Sequence, residues 1–285
     1  MLVSSSRGSG RAHPWFDGTV RAGLHPAPRP AASAQPHNHL LRALPEAVLE
    51  ALHPHLERVA LKRRQVLHER NVPLTHAYFI ERGAASLLSR AGDGGTLECG
   101  MLGRFDLAGL PIVLGTGRTP HRCVVQVPGE ALRIRAEDLA QAMSDHPALR
   151  AVLLHHVQAA LIESAQLAVC NSSHTLRQRL ARWLLGAQDR LGGHEIPLTH
   201  QCASRALAVR RAGVTTALGE MEDAGLLRRG RGKLVVADRA GLEAQACDCD
   251  RAIRAEHRRI ACDAVDGATA RRPPAAWTAG VPVAA

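Results

Sequence analysis

Hydrophobic and polar positions change their period along this chain, and the changes divide it. Between residues 64 and 135, short apolar runs alternate with turn residues: Gln65-Val66-Leu67-His68, Ala77-Tyr78-Phe79-Ile80, Ala85 to Ser89, Thr96 to Cys99, Cys123 to Val127, and Ala131 to Ile134. The breaks hold Gly83, Asp93-Gly94-Gly95, Gly115, Gly117 and Pro128-Gly129. Asp-Gly between extended runs signals a hairpin. Many short strands at regular spacing predict a small antiparallel barrel or jelly roll. From 136 the period turns helical. Leu139 and Met143 mark a short helix over 136–145, and Pro147 suits the first turn of a long one reaching about Cys170. That helix carries Leu149, Leu153 and Ala160 on one face and Leu154, Val157, Leu161 and Ala168 on another. A helix apolar on two sides needs two partners. The barrel is expected to be one and the same helix of a second copy the other, against the alternative of burial within one copy. Asn171-Ser172-Ser173 reads as a hinge, with Ser172 or Ser173 capping a helix from Leu176 to Leu191 that Gly192-Gly193 closes.

Residues Leu198 to Val236 hold the most specific pattern. Thr199 is a plausible N-cap for a short apolar helix (Cys202, Ala203, Ala206, Leu207), and the turn falls at Ala208-Val209. A second helix from about Arg210 turns Val214, Leu218 and Met221 inward at helical spacing and offers Arg211, Gly213, Thr215 and Thr216 on its opposite face. Gly225 ends it. Leu226-Leu227 and Leu234-Val235-Val236 then flank Arg228-Arg229-Gly230-Arg231-Gly232-Lys233 as a basic hairpin. A helix-turn-helix followed by such a wing puts one helix into a major groove and a basic loop on the phosphate backbone.

The ends read differently. Residues 1–38 are rich in Ser, Gly, Pro, Ala, Arg and His and bury too little apolar area to offset ordering, so disorder is expected. Leu40 to Leu61 is a partly helical lead-in. Asp238 caps a short helix through Ala246, and residues 250–285 are charged, then Pro/Ala-rich, and expected to become disordered.

Charge sharpens this division. The 285 residues carry a formal net charge of +10, and aromatics are only 2 %, so the cores must be built from Leu, Val, Ile and Ala. From His174 to Val236 there are ten Arg and one Lys against two Asp and three Glu, a net +6 concentrated on the helix-turn-helix pattern. Such clustering favours nucleic acid over a merely solvated basic surface. No apolar run approaches the roughly 18–20 residues of a membrane span, and no secretory signal is visible. The seven cysteines are odd in number and scattered, which fits free thiols in a reducing cytoplasm.

The order of barrel, long linking helix and winged helix resembles the family of the cyclic-AMP receptor protein and the fumarate–nitrate reduction regulator (Crp/Fnr). The matching text is YFIERGAASLL and GGTLECGMLGRFDLAGLPIVLGTGRTPHRCVVQVPGEALRI in the barrel, and LTHQCASRALAVRRAGVTTALGEMEDAGLLRRGRGKLVV beyond it. The resemblance covers roughly residues 40 to 248. It implies an α+β chain with an antiparallel β-roll or jelly-roll sensor barrel (39–145), a dimerisation helix (146–171) and a C-terminal winged helix-turn-helix (172–248), set between the disordered extension (1–38) and the largely disordered tail (249–285) expected from composition. It also implies a dimeric, cytoplasmic, sequence-specific transcriptional regulator rather than an enzyme, with double-stranded DNA, a second copy and RNA polymerase as partners. The residues expected on DNA are Thr199, Arg210, Arg211, Gly213, Thr215 and Thr216, with Arg228, Arg229, Arg231 and Lys233 on phosphates. The other reading is a barrel-based small-ligand sensor whose winged helix serves a protein partner.

Departures from the family pattern narrow these expectations. Arg118 and Thr119 match the Arg-Ser/Thr step that holds a cyclic nucleotide in ligand-binding relatives. Leu107, however, stands where their ribose-binding Glu should be, Asp106 is one residue off and directed elsewhere, and Pro120 follows Thr119. A different effector, or none, is therefore expected. Residues 1–98 contain no Cys, so no iron–sulfur cluster is expected. Of three usual base readers only Arg211 remains, since Ala212 and Thr216 occupy the other two positions, and Ala208 stands where a turn Gly is usual. Arg211 is expected to read a guanine edge, the alternative being phosphate contact alone. Cys247-Asp248-Cys249, with His257 and Cys262 beyond, is a candidate metal or redox site. A lone Cys-x-Cys near a tail is a weak signal, so free surface thiols and no metal are expected. The barrel histidines His68, His76 and His121 form no His-x-His with a downstream Glu. No Gly-rich Lys-Ser/Thr loop or Gly-x-Ser-x-Gly elbow is present, so no enzyme chemistry is expected.

Overall fold

A computed structural model describes residues 35–92, 95–197 and 199–269, with side chains as far as Arg259. Residues 1–34 of the extension expected to be disordered lie outside the described residues. The end of that stretch is anchored rather than free. Asn38 is fully buried, caps α1 (His39–Arg42) by accepting from Leu40 N and Leu41 N, and donates to the carbonyls of Ile80 and Asp106, each at 3.0 Å. Glu81 accepts from the backbone of His37 and Asn38 at 2.8 and 2.9 Å. The boundary at residue 38 therefore falls inside the folded unit. A second lead-in helix, α2 (Glu46–Leu52), follows.

The barrel consists of β1 (Glu57–Leu61), β2 (Val66–His68), β3 (His76–Arg90), β4 (Thr96–Leu102), β5 (Leu107–Ala108) and β6 (Arg122–Arg135), all paired antiparallel. The main path runs β1-β6-β3-β4, with β2 on β6 and β5 on β3. Strand β3 is apolar without alternation at Ala77-Tyr78-Phe79-Ile80 because both its faces are covered. Tyr78 and Ile80 enter one core with Val125 and Ala131, whereas Ala77 and Phe79 enter another with Leu139, Leu149 and Leu153 from helices. Where β3 and β6 cross, the ladder shifts register and the backbones touch: a β-carbon on Gly129 would lie 2.0 Å from the Arg82 carbonyl oxygen.

After α3 (Leu110–Val113) and β6 come α4 (Ala136–Asp145) and α5 (Pro147–Ser173). Leu149, Val152, Leu153 and Val157 of α5 pack on the barrel-side core, while Leu154, Leu161 and Val169 stay exposed at 39, 61 and 51 %. By length and apolar composition α5 could cross a membrane, but its barrel-facing row is spent inside the fold. The helix runs through Asn171-Ser172-Ser173, where a hinge was expected, and has its last helical residue at Ser173. Ser172 donates back to the Val169 carbonyl, a local bond that lets a hydroxyl sit inside a helix. The break comes at His174, in extended conformation, and Thr175 caps α6 (Leu176–Leu191) through a reciprocal box with Gln178.

The C-terminal part contains β7 (Glu195–Ile196), α7 (His200–Leu207), α8 (Arg211–Asp223), β8 (Leu227–Gly230), β9 (Lys233–Val236) and α9 (Arg239–Gln245). The three strands form a sheet in the order β7-β9-β8. As far as Thr269 the tail corrects the sequence-based expectation of disorder, because α10 runs from Asp248 to Thr269 and packs along α5, while residues 270–285 lie outside the described residues. Its charges had suggested a solvated chain. Several instead pair along the helix, Arg251 with Asp248, Arg254 with Asp250 and Arg259 with Glu256, while Cys249 and Ile253 are buried.

Candidate nucleic-acid interface

Helix α7 starts where Thr199 accepts a bond from the Cys202 N–H, as its sequence position predicts. It ends at Ala208, whose φ of +53° and ψ of +43° are left-handed. A side chain there costs about 1 kcal/mol. The turn is held regardless, since Ser204 Oγ donates to the Val209 carbonyl at 2.6 Å and Arg179 of α6 donates to the Leu207 carbonyl. Ala208→Gly is expected to stabilise the protein by about 1 kcal/mol. A denaturant titration checks this, and a loss of stability would show that the turn carries no strain.

Helix α8 buries Val214, Leu218 and Met221 completely. Arg210, Arg211, Thr215 and Thr216 are exposed on the other side. Both threonine hydroxyls bond to the carbonyl four residues back, and Thr215 Oγ1 lies 3.0 Å from His200 Nδ1. Burial lowers the His200 pKa and the charges of Arg211 and Arg229 lower it further, a sign of the positive field over this face. Gly213 does not belong to that face. It is half-buried, and a β-carbon on it would sit 3.3 Å from Leu176 of α6, so it serves packing. In the wing, Arg229 is paired with Glu222 and Lys233 Nζ lies 2.5 Å from Glu195. Arg228 and Arg231 are exposed with no ion pair among the described residues. Thus two of the four wing cations face competition from carboxylates, and two do not.

The barrel residues matched to nucleotide binding are not brought together. Thr119 is buried and its hydroxyl accepts from His121 N at 3.2 Å, while Arg118 is exposed. Leu107 is 1 % exposed in the core, and Asp106 is taken up by the Gly103 N–H at 2.8 Å and Arg190 Nε at 3.2 Å. A small space of about 70 Å³ lies between the β3–β4 sheet and α5, lined by Leu87, Gly100, Leu110, His156 and Ala160, and neither Arg118 nor Thr119 lines it.

Residues 58–146 match the cyclic nucleotide-binding domain, and residues 178–245 match the Crp-like helix-turn-helix domain. The chain belongs to the Crp/Fnr family. The global nitrogen regulator of Synechocystis sp. is 23 % identical over 183 residues, which cover 61 % of this chain and 81 % of that protein. FixK2 from Bradyrhizobium japonicum superposes with a TM-score of 0.60 at 16 % identity, covering 67 % of this chain and 98 % of that one. A crp/fnr regulator from Eubacterium rectale gives 0.56 at 19 %, covering 73 and 97 %. The fold is thus that of the Crp/Fnr regulators, an antiparallel sensor domain, a long helix and a winged helix. The protein is a Crp/Fnr-type transcriptional regulator, a family of regulators rather than of enzymes.

Two features of this Crp/Fnr protein were not legible in its sequence. Arg190, near the end of α6, is a buried node. Its Nε donates to Asp106 of the barrel, and its Nη2 reaches both Glu163 oxygens of α5 at 3.0 and 2.8 Å. Burial alone would lower the Arg190 pKa, but Glu163 and Asp106 outweigh it and the net shift is upward. A β-carbon on Gly103 would lie 2.5 Å from Arg190 Cβ, so the barrel backbone rests directly on α6. Beside this node, a cleft of about 460 Å³ opens between β4, α5, α6 and α7, lined by Glu98, Arg182 and Arg205 among others.

The second feature corrects the expectation of surface thiols. Cys247 and Cys249 are 4 and 2 % exposed and meet Cys170 and His174 from the end of α5. Burial and the neighbouring Cys170 push the Cys247 thiol up to about 12. His257, grouped with these cysteines by sequence, instead lies 3.7 Å from Glu163, and the Cys262 side chain lies outside the described residues. The missed signal was Cys170-x-x-x-His174, one helical turn in spacing, placed 73 residues before Cys247.

Proposed function

We propose that this regulator is a dimer that binds double-stranded DNA sequence-specifically, in the cytoplasm, and that its barrel does not use a cyclic nucleotide. The observation carrying the reading is the exposed row Arg210, Arg211, Thr215 and Thr216 on α8, flanked by the uncompensated wing cations Arg228 and Arg231. An exposed helix face of short and cationic groups beside a basic hairpin suits a major groove and its phosphates. Arg211 can present two donors to a guanine edge, while Arg228 and Arg231 sit on the wing as phosphate contacts. The exposed Leu154, Leu161 and Val169 on α5 supply the face for a second copy. Such a dimer places two α8 helices about 34 Å apart on successive grooves. At its promoter, the regulator meets RNA polymerase. Against a cyclic nucleotide stand the buried Leu107, where a ribose-binding carboxylate is needed, and Asp106, already engaged by Arg190 and the Gly103 N–H.

Fluorescence anisotropy on a site recovered from co-purifying genomic DNA tests this reading. Arg211→Ala is expected to weaken the site by about 1–3 kcal/mol and to relax preference at one base position. Arg228→Ala and Arg231→Ala are expected to weaken all sequences alike and to reduce the salt slope by about one each. Equal loss on every sequence for Arg211→Ala would reduce it to a phosphate contact. Absence of any preferred sequence across salt concentrations would overturn the proposal.

A further inference from the structure

We propose that Cys170, His174, Cys247 and Cys249 bind a single zinc ion that ties α10 to the end of α5. One ligand atom from each residue lies within 4.8 Å of all the others. Cys170 Sγ and Cys247 Sγ are 3.5 Å apart, as are Cys249 Sγ and His174 Nδ1. A tetrahedral zinc with Zn–S of about 2.3 Å and Zn–N of about 2.0 Å requires ligand separations of roughly 3.5–3.8 Å, so these side chains are nearly in place. Three thiolates and one imidazole favour zinc among common divalent ions, and four protein ligands close the site as structural zinc requires.

Three buried thiols could also be small apolar side chains packed together. Two polar groups argue otherwise. His174 aims a ring nitrogen into the cluster, and Gln166 Nε2 of α5 donates to Cys249 Sγ at 3.1 Å. An amide N–H directed at a ligand sulfur is the outer-shell contact that orients a metal-bound thiolate. The three sulfurs form a buried cluster of their own, separate from the larger apolar cores.

The site's place in the chain gives it a purpose. The chain enters the winged-helix part directly after His174 and leaves it at Cys247. One ion would clamp both ends of the DNA-binding part to each other and to α5. It would also hold the root of α10, whose charged sequence alone predicts no packed helix.

Metal content of the full chain, purified under reducing conditions and equilibrated with zinc before gel filtration, tests the proposal. About one zinc per chain is expected. Substituting cobalt should give thiolate-to-metal charge transfer in the near ultraviolet and intense d–d bands of tetrahedral coordination, a readout that needs no variant. Cys170→Ser and Cys249→Ser should lose the metal, Cys99→Ser should keep it, and His174→Cys should keep it with stronger charge transfer. A chain without bound zinc and without cobalt bands would overturn the proposal. So would metal retained in full by both serine variants, or a Cys170–Cys247 disulfide found by peptide mapping of the freshly purified protein.

Discussion

Arg190→Ala is expected to destabilise the protein by about 3–5 kcal/mol, because it strands two carboxylates away from water. The side chains of Arg190, Asp106 and Glu163 are only 13, 7 and 20 % exposed. Arg190 alone neutralises a barrel loop and α5 at once, from a position on α6. Its loss therefore removes the charge that holds three elements together, and His257 on α10 stands 3.7 Å from the same Glu163. Urea unfolding measures the stability. Limited proteolysis of the native protein should show cutting between α5 and α6 rise in parallel. Charge and shape are separable: Arg190→Met combined with Asp106→Leu and Glu163→Leu should recover most of the stability, since buried ion triads can be replaced by apolar groups of similar volume. If Arg190→Ala costs under about 1 kcal/mol, the node behaves as a surface ion pair and does not join the domains.

The second large effect concerns Glu98 on β4. Burial pushes its carboxyl from an ordinary 4.5 to about 7, against the Ser86 hydroxyl bonded to it and the charges of Arg190 and Arg205. The folded protein thus holds this proton more tightly than the unfolded chain does. The stability it contributes is complete below about pH 4.5 and is lost as pH rises through about 7. Between pH 5 and 8 the loss is about 2–3 kcal/mol. Glu98→Gln removes this proton exchange while keeping the shape, so the variant's stability should fall by that much less over the same range. Chemical unfolding of both proteins at the two pH values reads the difference, and identical slopes would sink the assignment. Since Glu98 lines the cleft beneath α6 and α7, the same titration should loosen the seat of the DNA-binding part at alkaline pH.

What could be read from sequence was local. Thr199 capping α7, the inward spacing of Val214, Leu218 and Met221, Gly225 after α8 and the basic hairpin each depend on residues within a few positions of one another. The barrel strands were legible for the same reason, and the unbroken apolar run at Ala77 to Ile80 marks a strand covered on both faces, though not which distant elements cover it. Arg190, by contrast, meets Asp106 across 84 positions, and Cys170 meets Cys247 across 77. No period connects residues so far apart. The tail departs from its expected disorder because its charges pair along a helix that packs on α5. The hinge moved to His174 and Thr175 because Ser172 could bond back to its own helix as readily as begin the next. Helical spacing puts Gly213 on the outer face, yet its missing side chain makes room for Leu176.

The helix α10 along α5 has a geometric consequence. With the barrel on one side and α10 on another, the large apolar side chains that α5 leaves exposed are Leu154, Leu161 and Val169. A two-fold pair joined through that face, as proposed above, would not be a bare two-stranded coil. Each α5 would bring its own α10 as an outrigger, so four helices would share the layer, and the angle at which the subunits cross would be set in part by residues 248–269.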